Sequence, residues 1–397
     1  MQNIKSAFPI FSTYPHVYLD TAATAHKPQV VIDRIHHAYT QGYGSVQRGL
    51  YPLAARATQA FEDARTSVQH FINAEAHNQI IFTAGTTASI NLVANGLAHL
   101  FERGFNIVIS QMEHHANYIP WLELSNKTGA ELRVIPLQKD GTLDLDRGLL
   151  MIDRLTKMVA VTQVSNVLGV VNPIDVIVPA ARKMNALTLV DAAQSIGRME
   201  IDVQALGCDF LVFSGHKLYG PTGIGVLFGR RAALQEIRPT AFGGGMVGQV
   251  NEGSFDMLSL PQRLEPGSKH LAGALGLQAA MDFMEELGLD MVYDHAKEIT
   301  HYLTETLQAS GVEVLAAAVP KLGCVSFTLD DVHPHDAATI LGEHRICIRA
   351  GHHCAQPLHQ ALGVPSTMRA SVGIYTDKED IHKLVMGLNK VKRVFSS

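Results

Sequence analysis

Seven β-rich runs recur between Gln79 and Gly229: QIIFTAG, NIVISQ, ELRVIPL, KMVAVTQVS, LTLVDAA, FLVFSG and GIGVLFG, with helical patterns between them. Parallel strands need a crossover connection, and a helix is the usual one, so this alternation predicts βαβ units around a largely parallel sheet. Each run ends in polar residues or glycine, and in such a sheet the ligand site lies beyond the carboxyl ends of the strands. From about Ala272 the rhythm changes. Helix-like AGALGLQAAMDFMEELG and YDHAKEITHYLTETLQAS are followed by strands GCVSFTL, ICIRAG and MRASVGIY, which reads as a smaller α+β domain. The closing TDKEDIHKLVMGLNKVKRVF begins acidic and ends basic, as suits a helix dipole, and is expected to be a terminal helix.

Composition narrows the function classes. With 47% hydrophobic residues, 397 residues suffice for one large or two medium domains. The 32 basic and 37 acidic residues form no long run of one sign, so the footprint of a nucleic-acid binder is missing and a small-molecule function is favoured. No apolar run approaches the roughly 18 residues that cross a bilayer, and MQNIKSAFPIFSTYPHVYLD lacks a signal-peptide core, so no membrane association and a cytoplasmic location are expected. The four cysteines show no C-x-x-C pair and no zinc-like spacing, which argues against a disulfide framework or a zinc module.

Lys217, in CDFLVFSGHKLYGPTGIGVLFG, follows an apolar strand on a Ser-Gly-His turn, at the strand end where open α/β sheets bind ligands. An ordinary surface lysine is the bland reading. Against it, the flanking glycines let backbone approach a ligand, and a desolvated lysine can condense with a carbonyl. Asp191, about one strand, helix and strand earlier, could cap a helix, or could pair with a pyridinium nitrogen. Gly85, Thr86 and Thr87 come between a strand and an amphipathic helix, a place where free N–H groups and hydroxyls suit a phosphate.

His114 and His115 follow another strand; one of them could stack on a flat cofactor or relay protons. Adjacent side chains diverge, so neither this pair nor His352 and His353 makes a chelate, HPHD at His333 to Asp336 reads as a loop and helix start, and no metal is assigned. Cys354 lies in a polar segment after a strand, where Arg349 and two histidines could raise its thiolate fraction. Cys208, Cys324 and Cys347 are flanked by apolar or strand-like residues and are read as buried and inert. Arg369 could grip a carboxylate through its fork.

Seven ordered stretches, YLDTAATAHKP, FTAGTTASINLVAN, MEHHANYIPW, VSNVLGVVNP, DAAQ, FSGHKLYGPTGIGVL and RAGHHCAQP followed by RAS, form a specific set. Over essentially its whole length the chain resembles the group II cysteine desulfurases and selenocysteine lyases of the class V aminotransferase-like, fold-type I pyridoxal 5'-phosphate enzymes. The resemblance implies a large α/β domain with a mostly parallel seven-stranded sheet over residues 19–284, and a small α+β domain made of 1–18 and 285–397 that carries the cysteine loop. It implies that Lys217 holds the cofactor covalently, Asp191 faces the pyridine nitrogen, Gln194 faces the ring hydroxyl and His114 stacks on the ring. Thr86, Thr87, Ser214 and His216 would seat the phosphate, with Ser268 reaching the partner subunit's phosphate across a homodimer. Asn166, Arg349 and Arg369 would position the substrate, and Cys354 would receive its sulfur. The implied reaction turns L-cysteine into L-alanine and passes persulfide sulfur to an acceptor protein, for iron-sulfur clusters or other sulfur compounds.

Several positions depart from the family pattern. Gln47 and Arg48 stand where relatives have His-Arg, Ala84 and Ala88 replace an Arg and Glu that would pair near the dimer interface, and Gly267-Ser268 replaces Gly-Thr. Ser keeps the hydroxyl donor. KHLAG and the short GGGMVGQV are also atypical. Alternatives are a lyase preferring L-selenocysteine, another class V lyase or epimerase, or a non-catalytic scaffold of a sulfur-transfer complex.

Overall fold

The structure, a computed structural model, describes residues 4–47 and 49–395. Arg48 and the first three residues of the expected small domain lie outside them. The seven β-rich runs become seven strands: β1 (Ile80–Thr83), β2 (Asn106–Ser110), β3 (Glu131–Ile135), β4 (Thr156–Thr162), β5 (Leu187–Asp191), β6 (Phe210–Ser214) and β7 (Gly225–Gly229). They form one sheet in the order β1-β7-β6-β5-β4-β2-β3. Only β7 runs against its neighbours, pairing antiparallel with β1 and β6. The expected mostly parallel seven-stranded sheet is therefore present.

Side chains alternate across this sheet, as a pleated strand requires. Ile80, Val108, Leu211 and Phe213 enter a core with residues of the helices Gln29–Gln41, Pro52–Phe71 and Leu271–Leu287, while Ile81, Ile107, Ile109, Phe210 and Val212 enter a second core around Trp121. Because both faces are covered, the strands read in sequence as unbroken apolar runs. At the start of β7 two backbones come very close: a Cβ on Gly225 would sit 2.5 Å from Gly85 Cα and 2.6 Å from the Phe213 carbonyl. Only glycine fits there.

The later part of the chain builds a four-stranded antiparallel sheet from β8 (Glu313–Val314), β9 (Cys324–Thr328), β10 (Arg349–Gly351) and β11 (Thr367–Ser371), in the order β8-β9-β11-β10. Val325 and Phe327 of β9 pack with Ile299, Leu303 and Leu307 of helix Leu289–Ala309 and with Ile381, Leu384 and Leu388 of the final helix, Lys378–Phe395. That helix has Glu379 and Asp380 in its first turn and Lys392 and Arg393 in its last, the expected polarity.

Two features differ from the sequence reading. ICIRAG is not one strand, because Ile346–Cys347 pairs in parallel with Val17–Tyr18 while Arg349–Gly351 pairs with β11. The segment containing GGGMVGQV leads into an exposed hairpin, Val247–Asn251 with Ser254–Met257, which no periodicity announced. Among the described residues no helix is long and apolar enough to cross a membrane.

Candidate active site

The carboxyl ends of β1, β4, β5 and β6 open onto a cleft of about 270 Å³, which is also lined by the loop after β10 and by Arg369 of β11. Every site residue read from the sequence lines this cleft except Ser268. One wall is the turn between β1 and the helix Thr86–Gly96. Gly85 takes φ 147°, and Thr86 N and Oγ1 each lie 2.8 Å from Ser214 Oγ at the end of β6. The result is a hydroxyl-lined helix amino terminus, a ready seat for an anion.

At the end of β5, Asp191 is almost wholly buried, and among the described residues only Ala193 N donates to its carboxylate, at 2.9 Å to Oδ1. Burial pushes its carboxyl above the usual range despite that bond and the nearby Lys217. Lys217 ends the short turn Gly215–Lys217 that leaves β6, and burial pushes its amine down to about 8 while Asp191 opposes the shift. Gln194 is oriented by donating from Nε2 to the Ala22 carbonyl (2.9 Å) and accepting at Oε1 from Arg198 Nη1 (3.0 Å). His216 lies 3.2 Å from Thr24 Oγ1 through Nδ1, and burial lowers it to about 4.

His114 caps a turn by accepting from Ala116 N at Nδ1 (3.0 Å), so its proton resides on Nε2. Burial, with Lys217 second, lowers it to about 3 and keeps the ring neutral. Beneath it Glu113 accepts from Asn117 Nδ2 (2.6 Å), Thr162 N (2.9 Å) and the Ser110 hydroxyl, and Asn117 Oδ1 accepts from Trp121 Nε1 (2.9 Å). Burial outweighs these donors and raises Glu113 to about 8. Sequence reasoning gave Glu113 no role. Its only signal was its place inside MEHHANYIPW.

On the opposite side Arg369 is buried and donates through Nη1 to the Asn166 carbonyl (2.8 Å) and through Nη2 to Asp20 Oδ1 (3.1 Å). Asp20 is a further residue that was not singled out. Cys354 is half-exposed at φ 56°, and its carbonyl accepts from His115 N at 2.7 Å. The sequence reading enlisted both neighbouring histidines to favour the Cys354 thiolate. For His353 that is corrected: burial, then Arg369, drives it down to about 2, so it is neutral and adds no positive charge. The cations lining the cleft beside the thiol are Arg349, Arg369 and Lys217. Cys208 and Cys324 are buried as expected, whereas Cys347 is only half-buried.

Ser268 lies instead in a second, larger cavity of about 600 Å³ with Gln47, Tyr43, Tyr51 and Lys269. Gln47 adopts φ 77°, and its buried Nε2 has no partner among the described residues. The rings of His114 and His115 are 6.3 Å apart at 52°, and no group of three or more metal-ligating side chains forms among the described residues.

These groups fit a phosphorylated pyridine aldehyde. The hydroxyl-rich helix end would suit the phosphate, the buried carboxyl of Asp191 has an oxygen with no donor among the described residues that would suit a ring N–H, and an amine lowered to about 8 can react with an aldehyde.

The family Aminotransferase class-V is matched over residues 17–384. A cysteine desulfurase of Serratia proteamaculans (strain 568) is 44% identical over 400 residues, covering 99% of this chain and 98% of the relative. The apo structure of a cysteine desulfurase from Thermococcus onnurineus NA1 superposes with a TM-score of 0.95 at 35% identity, covering 99% of this chain and 98% of that one. The cysteine desulfurase CsdA of Escherichia coli, solved with an S-sulfonic acid, gives a TM-score of 0.90 at 35% identity and 98% coverage of both chains.

Proposed function

The chain belongs to the class-V aminotransferase family, and from that membership we infer that it is a cysteine desulfurase. It depends on pyridoxal 5'-phosphate and forms L-alanine from L-cysteine. The observation that carries the reading is a single one: Cys354 lines the same cleft as Lys217 and Asp191.

When bound, the cofactor supplies a carbonyl for the substrate amine and a ring that draws electron density from the α-carbon. Thr86, Thr87, Ser214 and His216 would hold its phosphate, Asp191 its ring nitrogen and Gln194 its ring hydroxyl, with His114 against the ring face. Lys217, part neutral near pH 8, receives the α proton at Nζ. Arg369, Arg349 and Asn166 hold the substrate carboxylate and set its sulfur toward Cys354. The Cys354 thiolate attacks that sulfur. An S–S bond forms, the C–S bond breaks with its electron pair left on the carbon skeleton, and protonation of the skeleton gives alanine.

The enzyme works as a homodimer in the cytoplasm, and Ser268, which lies outside its own chain's cleft, serves the partner's phosphate. The persulfide sulfur passes to an acceptor protein. Residues 19–284 act as the cofactor-binding domain, and 1–18 with 285–397 as the smaller one.

The test is alanine release from L-cysteine and, separately, L-selenocysteine, with and without a reducing thiol, alongside the visible spectrum. Thiol-stimulated alanine from L-cysteine and a visible cofactor band that is lost in Lys217→Ala support the reading. Alanine from L-selenocysteine alone would replace it with a selenocysteine lyase.

A further inference from the structure

His353 and Cys354 are consecutive residues other than glycine in left-handed backbone, φ 52° and 56°. Such backbone is costly without a Cβ-free residue, so the surroundings must hold it. Asn166 Nδ2 donates to the His353 carbonyl and His115 N to the Cys354 carbonyl, each at 2.7 Å. A third restraint runs through side chains. His353 Nε2 lies 2.9 Å from Thr367 Oγ1, His359 Nε2 lies 3.1 Å from the same oxygen, and His359 Nδ1 lies 3.0 Å from the Ala355 carbonyl.

The proton positions along this chain follow from its far end. A carbonyl only accepts, so His359 carries its hydrogen on Nδ1 and offers a lone pair at Nε2. The Thr367 hydroxyl donates to that lone pair, and its oxygen then accepts from His353 Nε2–H. His353 Nδ1 remains a lone pair, buried and without a partner among the described residues, in a residue that lines the cleft. Burial keeps both imidazoles neutral, which this arrangement requires. One fully buried hydroxyl thus ties down the residue before Cys354 and, through His359, the residue after it.

We propose that Thr367 is a positioning residue for sulfur transfer, whose hydroxyl, shared by His353 and His359, fixes the backbone of Cys354 and the tautomer of His353. The inference rests on the reading of Cys354 as the sulfur-receiving thiol.

Thr367→Val keeps the side-chain shape and removes the hydroxyl, and Thr367→Ser restores it. In the holoenzyme with L-cysteine, Thr367→Val is expected to lower kcat for persulfide formation about tenfold, the scale of one lost buried hydrogen-bonding group. KM and the cofactor absorption should stay near wild type, Thr367→Ser should recover, and the alkylation rate of Cys354 by iodoacetamide should change in the Val protein alone. If Thr367→Val does not fold, His359→Phe cuts the same chain away from the cleft and is expected to act in the same direction. A Val protein with wild-type kcat and alkylation rate overturns the proposal, as does a Ser protein as slow as Val. Should wild type gain no persulfide at Cys354, it is the reading of the thiol that fails, and the alkylation rates then decide on Thr367.

Discussion

Arg369 Nη2 lies 3.1 Å from Asp20 Oδ1, joining a residue that lines the cleft to one 349 positions earlier in the chain. The guanidinium is buried, and the carboxylate keeps a quarter-exposed face, 23% for its side chain. Removing one partner of such a pair leaves a buried charge uncompensated. Asp20→Asn is expected to lower stability by about 1–3 kcal/mol, read as a reduced urea midpoint. An unchanged midpoint would show that the Asn166 carbonyl alone suffices for Arg369.

The depressed amine of Lys217 gives a pH dependence with a definite sign. Its pKa in the folded chain is about 8 against an ordinary 10.5. Below about 8 the lysine is charged in both states and burial carries its full penalty; between 8 and 10.5 the unfolded chain binds more protons, so stability of the cofactor-free protein rises with pH. The neutral amine also grows over the lower part of this window. Uptake of pyridoxal phosphate by cofactor-free protein, followed by absorbance, should therefore accelerate through pH 8 and then level. A flat rate from pH 7 to 9 would contradict the assignment.

Cys354→Ala should keep the cofactor absorption, because none of the groups around Thr86, Asp191 or Lys217 is touched, yet form no persulfide and release alanine from L-cysteine at least about a hundredfold more slowly, as befits loss of the attacking nucleophile. Mass spectrometry after one turnover and an alanine assay are the measurements. Full turnover by this variant would remove the thiol from the mechanism.

Glu113 offers a structural test near His114. Its two oxygens accept from Asn117 Nδ2, Thr162 N and the Ser110 hydroxyl. Above about pH 8, where Glu113 is ionised and both oxygens accept, Glu113→Gln turns one of them into a donor that must face another donor, which costs roughly 1–3 kcal/mol. Chemical denaturation should show that loss. Equal stability would mean that the site repacks around the amide.

The large sheet was legible because each of its strands is covered on one or both faces by a core, which leaves a short apolar run bounded by turn residues; FLVFSG and GIGVLFG became β6 and β7 almost residue for residue. ICIRAG was not, since its break is set by two different pairing partners, Val17–Tyr18 and β11, that no local pattern specifies. The residues singled out for the cleft carry the types that chemistry demands at strand ends. Asp20 and Glu113 were passed over because their importance lies in contacts distant in sequence, Asp20 with Arg369 and Glu113 with Thr162. The neutrality of His353 was hidden too, since a histidine in a polar-looking segment gives no sign that it is 4% exposed.

Gly225 carries no side chain into the cleft, yet its bare Cα sets how far apart two of the cleft's walls can stand. A methyl group there would wedge Gly85 away from Phe213, carrying Thr86 off Ser214 while leaving every reacting group intact. The enzyme's spacing gauge is thus an atom that is missing, and an inventory of functional side chains would pass such a lesion as harmless.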